Sequence, residues 1–155
     1  MSANVTQKTL ILFKPDAVQR RLCGKLLTRF EEKGLRIAAM KLMKIDDALA
    51  AKHYEAHKTK GFYAGLVKFM TSAPVMALVL EGPHAVEVCR NMMGATFGFK
   101  AAPGTIRGDF GVSNQYNLIH GSDSPEAAER EIALFFEPKQ VLAWSTADAA
   151  LHACD

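Results

Sequence analysis

Short apolar runs, each cut off by a strand-breaking residue, constrain this chain more than anything else in it. Thr9-Leu-Ile-Leu-Phe13 is continuously apolar and stops at Lys14-Pro15, where proline removes a ladder donor and restricts the residue before it. Pro74 to Leu80 is a second run, closed by Glu81-Gly82-Pro83, and Tyr116 to His120 is a third. Leu35 to Ile45 alternates more loosely, as a strand with one wetter face. Runs of this length read as buried strands, so the fold must be built around a sheet.

Between the runs the apolar spacing changes to that of helices. Leu22, Leu26, Leu27 and Phe30 share one stripe in Leu22 to Lys33, and Gly34 supplies the stop. Asp46 or Asp47 can cap a helix carrying Tyr54, and Gly61 to Met70 reads as another. Val86, Cys89 and Met93 line a helix from Ala85 to Met93 that ends at Gly94. Glu126 to Phe136 places Ala128, Ile132, Phe135 and Phe136 inward. The order β-α-β-α-α-β-α-loop-β-α contains two β-α-β crossovers, which predicts a ferredoxin-like arrangement. A doubly wound parallel sheet is the competitor, disfavoured by only four strong strands and by the helical insertion between the second and third.

Length and composition narrow the class. The 155 residues amount to one domain, with 49% apolar and 23% charged residues, as in ordinary globular proteins. Nineteen basic against 16 acidic side chains leave a formal charge of +3. That balance suits an anionic ligand and falls short of a nucleic-acid signature. Cys23, Cys89 and Cys154 form no CxxC or Cys/His ligand pattern, so a reducing compartment is expected rather than a disulfide scaffold. Residues 1–8 lack the apolar core of a signal peptide, and no run reaches the ~20 apolar residues of a membrane span. The expected location is the cytoplasm.

Two segments carry candidate chemistry. In Asn117-Leu-Ile-His-Gly-Ser-Asp123 an apolar strand delivers His120 to its end, beside a helix start. Ser122, Asp123 or Ser124 can cap that helix, and Asp123 with Glu126 is a capping-box pattern, so part of the motif has a purely structural explanation. At about 100° per residue, Glu131 falls between Ala128 and Phe135 at the edge of the buried face. Turned inward, it could hold one imidazole nitrogen and leave the other to attack; the alternative is an exposed Glu in Glu129-Arg-Glu131. The second segment, Ala102 to Gly111, has glycines that let backbone approach a ligand and Arg107 to fork onto phosphate. Lys14, Arg90 and Arg107 could converge on one anion, or each could be a solvated surface charge. There is no P-loop, since Gln19 stands where its first glycine is needed and Leu26 follows Gly24-Lys25. His53-Tyr-Glu-Ala-His57 misplaces the Glu of HExxH, and both histidines are expected on the surface.

Asn117-Leu-Ile-His-Gly-Ser-Asp123, Pro103-Gly-Thr-Ile-Arg-Gly-Asp-Phe110 and Phe13-Lys-Pro-Asp16 together closely resemble the nucleoside diphosphate kinase family. The likeness is strongest over residues 8–136 of a single domain spanning 1–155, with 137–155 a divergent tail. It implies an α+β sandwich, ferredoxin-like, with a four-stranded antiparallel sheet and helices packed on it. It implies a ping-pong reaction in which a nucleoside triphosphate such as ATP passes its γ-phosphoryl group to His120 and a second nucleoside diphosphate collects it. Mg²⁺ arrives with the nucleotide. By the same match Glu131 and Ser122 orient the ring, and Lys14 and Tyr54 lie beside the transferring group. Lys14, Arg90, Thr96 and Arg107 hold phosphates, and Asn117 meets the ribose hydroxyl. Phe62 stacks on the base with Leu66 below it, which tolerates any base because every base has a π-face. A homo-oligomer is implied, a hexamer in preference to a tetramer, with no membrane and no indicated nucleic-acid partner.

Two departures stand out. Phe97-Gly98-Phe99-Lys100 replaces the Asn or Asp and then Pro common in the family after Gly94-Ala-Thr96. The tail from Trp144 to Asp155 replaces the Trp-hydrophobic-Tyr-Glu ending of longer members. A ferredoxin-like RNA-binding module would need exposed sheet aromatics, whereas these strands are aliphatic. A catalytically silent relative would usually lack the nucleophile, and His120 is present.

Overall fold

A computed structural model describes residues 5–152; Cys154 and the last tail positions lie outside them. The strands are β1 (Thr6–Phe13), β2 (Arg36–Met43), β3 (Val75–Pro83) and β4 (Ile119–Gly121). The helices are α1 (Pro15–Gln19), α2 (Cys23–Glu32), α3 (Asp47–His53), α4 (Tyr63–Met70), α5 (Ala85–Met93), α6 (Ile106–Phe110) and α7 (Pro125–Phe135). The sheet order is β2-β3-β1-β4, and every neighbouring pair is antiparallel. This is the ferredoxin-like α+β sandwich and not the doubly wound parallel sheet.

The continuous apolar run in β1 has a direct physical cause. Ile11 and Phe13 face one core with Leu26, Phe30, Leu80 and Met93, while Leu10 and Leu12 face a second with Ala50, Met70, Val79 and Phe135. Alternating side chains therefore find apolar partners on both faces. A sheet covered on both sides leaves no open aromatic platform of the RNA-binding kind. Leu12 is fully buried, and truncation to Ala would cost about 2–5 kcal/mol.

Several boundaries differ from expectation. β3 does not close at Glu81-Gly82-Pro83 but runs through them, because Thr6, Gln7 and Lys8 of β1 pair with these residues. β4 is shorter than Tyr116 to His120: Leu118 has φ +73°, which breaks the extended backbone and leaves Tyr116 exposed in the preceding loop. A register shift between Ile37 and Ala39 explains the loose alternation of β2. Asp46 caps α3, accepting from the Leu49 N–H at 2.8 Å, but the helix ends at His53 with Tyr54 as its C-cap. The loop from 102 to 111 holds a short helix, α6, capped by Thr105. At α7 the cap is Ser124, which accepts from the Ala127 N–H at 3.0 Å, so the Asp123–Glu126 box does not form. Cys23 and Cys89 are free thiols, and no described helix is long and apolar enough to cross a membrane.

Candidate functional site

Period-two alternation in β4 decides where His120 points. Ile119 joins the core with α2 and α5, so His120 emerges on the opposite face, where α3 and α7 pack. Gly121 follows because a Cβ there would run into the Met93 sulfur. The imidazole enters a cleft of about 650 Å³. Of the residues expected at the site, His120, Glu131, Lys14, Tyr54, Phe62, Leu66, Arg90, Thr96, Arg107 and Asn117 all line it. Ser122 is fully buried behind Glu131 instead.

The rear wall is a closed hydrogen-bonded set. His120 Nε2 lies 3.3 Å from Glu131, and the Ser122 hydroxyl donates to Glu131 Oε2 at 2.5 Å. Ser122 Oγ in turn accepts from the Leu10 N–H at 3.2 Å, which ties the set to β1. Glu131 is thus the inward carboxylate of the two readings. Burial pushes its carboxyl up, but the hydrogen bonds and charge of His120 and the Ser122 bond outweigh this and bring it down to about 2. It is a carboxylate, so the imidazole nitrogen facing it carries the proton and Nδ1 holds the lone pair.

The cationic wall is equally braced. Lys14 Nζ donates to Asn117 Oδ1 at 2.7 Å, and Asn117 Nδ2 donates to the Thr96 carbonyl at 3.0 Å. Arg107, nearly buried, donates to the carbonyls of Asn117, Gly94 and Ile119 at 3.2, 3.1 and 2.7 Å. Gly94 has φ +83°, the left-handed stop of α5 that turns its carbonyl toward this guanidinium. Burial and the Arg90 charge bring Arg107 down to about 10, and burial and Arg107 bring Lys14 down to about 8. Three like charges held together in one cleft imply a polyanionic ligand.

One expectation is overturned. His57 is exposed, but His53 is 94% buried by its 6% residual exposure. Its ring lies edge-to-face with Tyr54, His120 and Phe135, at centroid distances of 4.5, 4.8 and 5.2 Å. Neither nitrogen has a hydrogen-bond partner, and burial followed by the His120 charge brings the group down to about 3, so it is neutral. The signal was present in the sequence: His53 is three residues beyond buried Ala50, on the inner stripe of α3. Tyr54 is buried too, and burial, with Glu131, raises its phenol above the usual range. Phe97, Asn114, Gln115 and Arg130 also line the cleft, and no sequence pattern announced them. Phe62, by contrast, is 57% exposed at the mouth beside His57.

Fold and cleft together define a class: a ferredoxin-like protein with a carboxylate-held histidine facing a cationic wall. The family model for nucleoside diphosphate kinase matches residues 7–141. A nucleoside diphosphate kinase of Thermoplasma acidophilum is 47% identical over 148 residues, which is 96% of this chain and all of that one. One from Chloroflexus aggregans is 55% identical over 137 residues, covering 88% and 91%. Among solved structures, the Halobacterium salinarum nucleoside diphosphate kinase in complex with CDP superposes with a TM-score of 0.93 at 48% identity, covering 95% and 98%. The Borrelia burgdorferi nucleoside-diphosphate kinase, a transition-state mimic with bound vanadate and ADP, gives 0.90 at 37% identity, covering 95% and 96%. The chain belongs to the nucleoside diphosphate kinase family.

Proposed function

We propose that this protein transfers the γ-phosphoryl group of a nucleoside triphosphate to a nucleoside diphosphate through a phosphohistidine on His120. The observation that carries this reading is Glu131 held against His120 Nε2, which leaves Nδ1 as the nucleophile. In the first half-reaction the Nδ1–P bond forms as the bond from phosphorus to the β–γ bridging oxygen breaks, and the diphosphate leaves. In the second, a terminal phosphate oxygen of the acceptor attacks phosphorus and the N–P bond breaks. Positive charge gathers on the ring during attack, and the Glu131 carboxylate, already placed, stabilises it. Lys14, Arg90 and Arg107 stabilise the charge spread over the phosphoryl oxygens, with Thr96 beside them. Tyr54 lies at the reacting centre and Asn117 meets the ribose while holding Lys14.

Phe62 and Leu66 form an apolar platform for any base. The family resemblance and the cationic wall support broad use of ribo- and deoxyribonucleotides, and hence a role in balancing triphosphate pools.

Mg²⁺ fits this cleft as an ion carried by the nucleotide. It prefers six oxygen ligands, and the lining carboxylates are Asp123 and Glu131, the second already engaged by His120 and Ser122. Phosphate oxygens would hold the ion, with Asp123 left to reach one of its waters. When bound, it neutralises phosphate charge.

The whole chain is read as one such domain, working in the cytoplasm as a homo-oligomer, with a hexamer favoured over a tetramer. Exposed Met40 and Leu42 on the edge strand β2 support self-association, which light scattering would test against the mass of six chains.

The direct test is two-step labelling. Protein is mixed with Mg²⁺ and γ-labelled ATP, freed of nucleotide, and chased with GDP, with His120→Asn in parallel. Acid-labile, alkali-stable label that passes to GDP is expected from the wild type alone. Transfer by the variant would remove His120 as nucleophile.

A further inference from the structure

His53 poses a question that phosphoryl transfer leaves unanswered. A buried imidazole with both nitrogens unpartnered is costly, and a Phe at that position would pack against Tyr54 and Phe135 without the polar cost. The retained polarity has a use if the ring can meet a ligand. Ligand atoms of His53, His120 and Glu131 all lie within 4.8 Å of one another, and the three residues line the cleft. Two imidazoles and one carboxylate are a donor set for a borderline-soft divalent ion such as Zn²⁺, and a poor one for Mg²⁺.

We infer that His53, His120 and Glu131 form an inhibitory site for a divalent transition ion of the Zn²⁺ class. Zinc–ligand bonds of about 2.0–2.1 Å place tetrahedral ligands about 3.3 Å apart. His120 Nε2 and Glu131 Oε1 already stand at 3.3 Å, so the pair is preset and His53 closes on it. The fourth position opens to the cleft, for water or a phosphate oxygen. Inhibition follows from the imidazole's two tautomers, a step that rests on His120 being the nucleophile. Metal on Nε2 takes that lone pair, so the ring proton moves through solvent to Nδ1. Nδ1 then has no lone pair with which to attack phosphorus. Conversely, an enzyme phosphorylated on Nδ1 keeps its Nε2–H against Glu131, and a metal can bind there only by displacing that proton to solvent, so the two modifications oppose each other.

The test starts from metal-free protein without nucleotide, titrated with Zn²⁺ by calorimetry and with Co²⁺ by visible absorption. One equivalent and the intense bands of four-coordinate Co²⁺ are expected. His53→Phe, which keeps the ring packing, should weaken Zn²⁺ at least tenfold, and His57→Gln should leave affinity unchanged. Equal affinity in His53→Phe, or loss in His57→Gln instead, overturns the assignment. If His53→Phe does not fold, His53→Gln serves the same comparison, and the wild type offers a version without substitution. Protein phosphorylated on His120 should bind Zn²⁺ at least tenfold more weakly, and undiminished binding would overturn the proposal. Labelling with Mg²⁺ present, in buffer stripped beforehand of transition ions, reads the nucleophile separately, so failure of either idea is distinguishable.

Discussion

The two sides of the cleft are built on different principles. The rear wall, His120, Glu131 and Ser122, is closed: each group is anchored to another, and the last of them to the β1 backbone. The mouth is open. Phe62 and Phe97 are 57% and 44% exposed, and Thr96 is exposed as well. Chemistry that moves one group along one line needs fixed dipoles, because reorganising them at the moment of reaction raises the barrier. Recognition of many bases needs the reverse, a π-surface that does not read base edges. The difference predicts that substitutions at the rear change turnover, while those at the mouth change affinity.

The largest effect should come from His120→Asn, which removes the nitrogen proposed to attack. Turnover in a coupled assay should drop by about four orders of magnitude or more, with the melting temperature little changed. Glu131→Gln comes next. It keeps shape and burial but loses the charge that faces the ring and is proposed to answer a developing imidazolium. We expect kcat to fall about 10²-fold with KM within about threefold; a KM effect alone would place Glu131 in binding and blur the division between walls.

Phe62→Ala should act at the mouth only, weakening all nucleoside diphosphates by about 5–100-fold with kcat retained, as measured by calorimetry and steady-state kinetics. Loss confined to one base would mean that the ring reads identity. The smallest effect is a pH dependence from Lys14, brought down to about 8 by burial and Arg107. Its charge is present below pH 8, so nucleotide affinity should decline as pH rises through 8, by a few-fold. Folding shows the opposite sign. Between pH 8 and about 10.5 the unfolded chain keeps a proton that the folded chain has released, so Lys14 makes stability rise with pH there. Lys14→Gln should remove both slopes, which melting curves and binding titrations across pH 7 to 10 would read.

Much of this molecule was legible in one dimension. The run in β1, the stripe of α5 and the stop at Gly94 follow from local rules of periodicity and chain termination. The inward turn of Glu131 was legible as well, because helical spacing alone put it next to Ala128 and Phe135. The length of β4 was not, since the left-handed Leu118 answers to a contact far away: its carbonyl accepts from the Lys14 N–H at 2.8 Å. The extension of β3 was hidden for the same reason, as residues that read as a turn by composition are held extended by pairing with β1.

The sharpest contrast is between two histidines. His120 announced itself through its neighbours in the chain, because strand end, glycine and helix cap are local features. His53 did not, because the spacing of α3 tells which way a side chain faces and says nothing of what stands opposite. Strands, helices, caps and the histidine motif are written in short-range preferences that each segment carries alone. The meeting of His53 with His120 and Glu131, far apart in sequence, exists only once α3 and α7 settle on the same face of the sheet. That packing is set by the summed burial of both cores, a quantity no short segment contains.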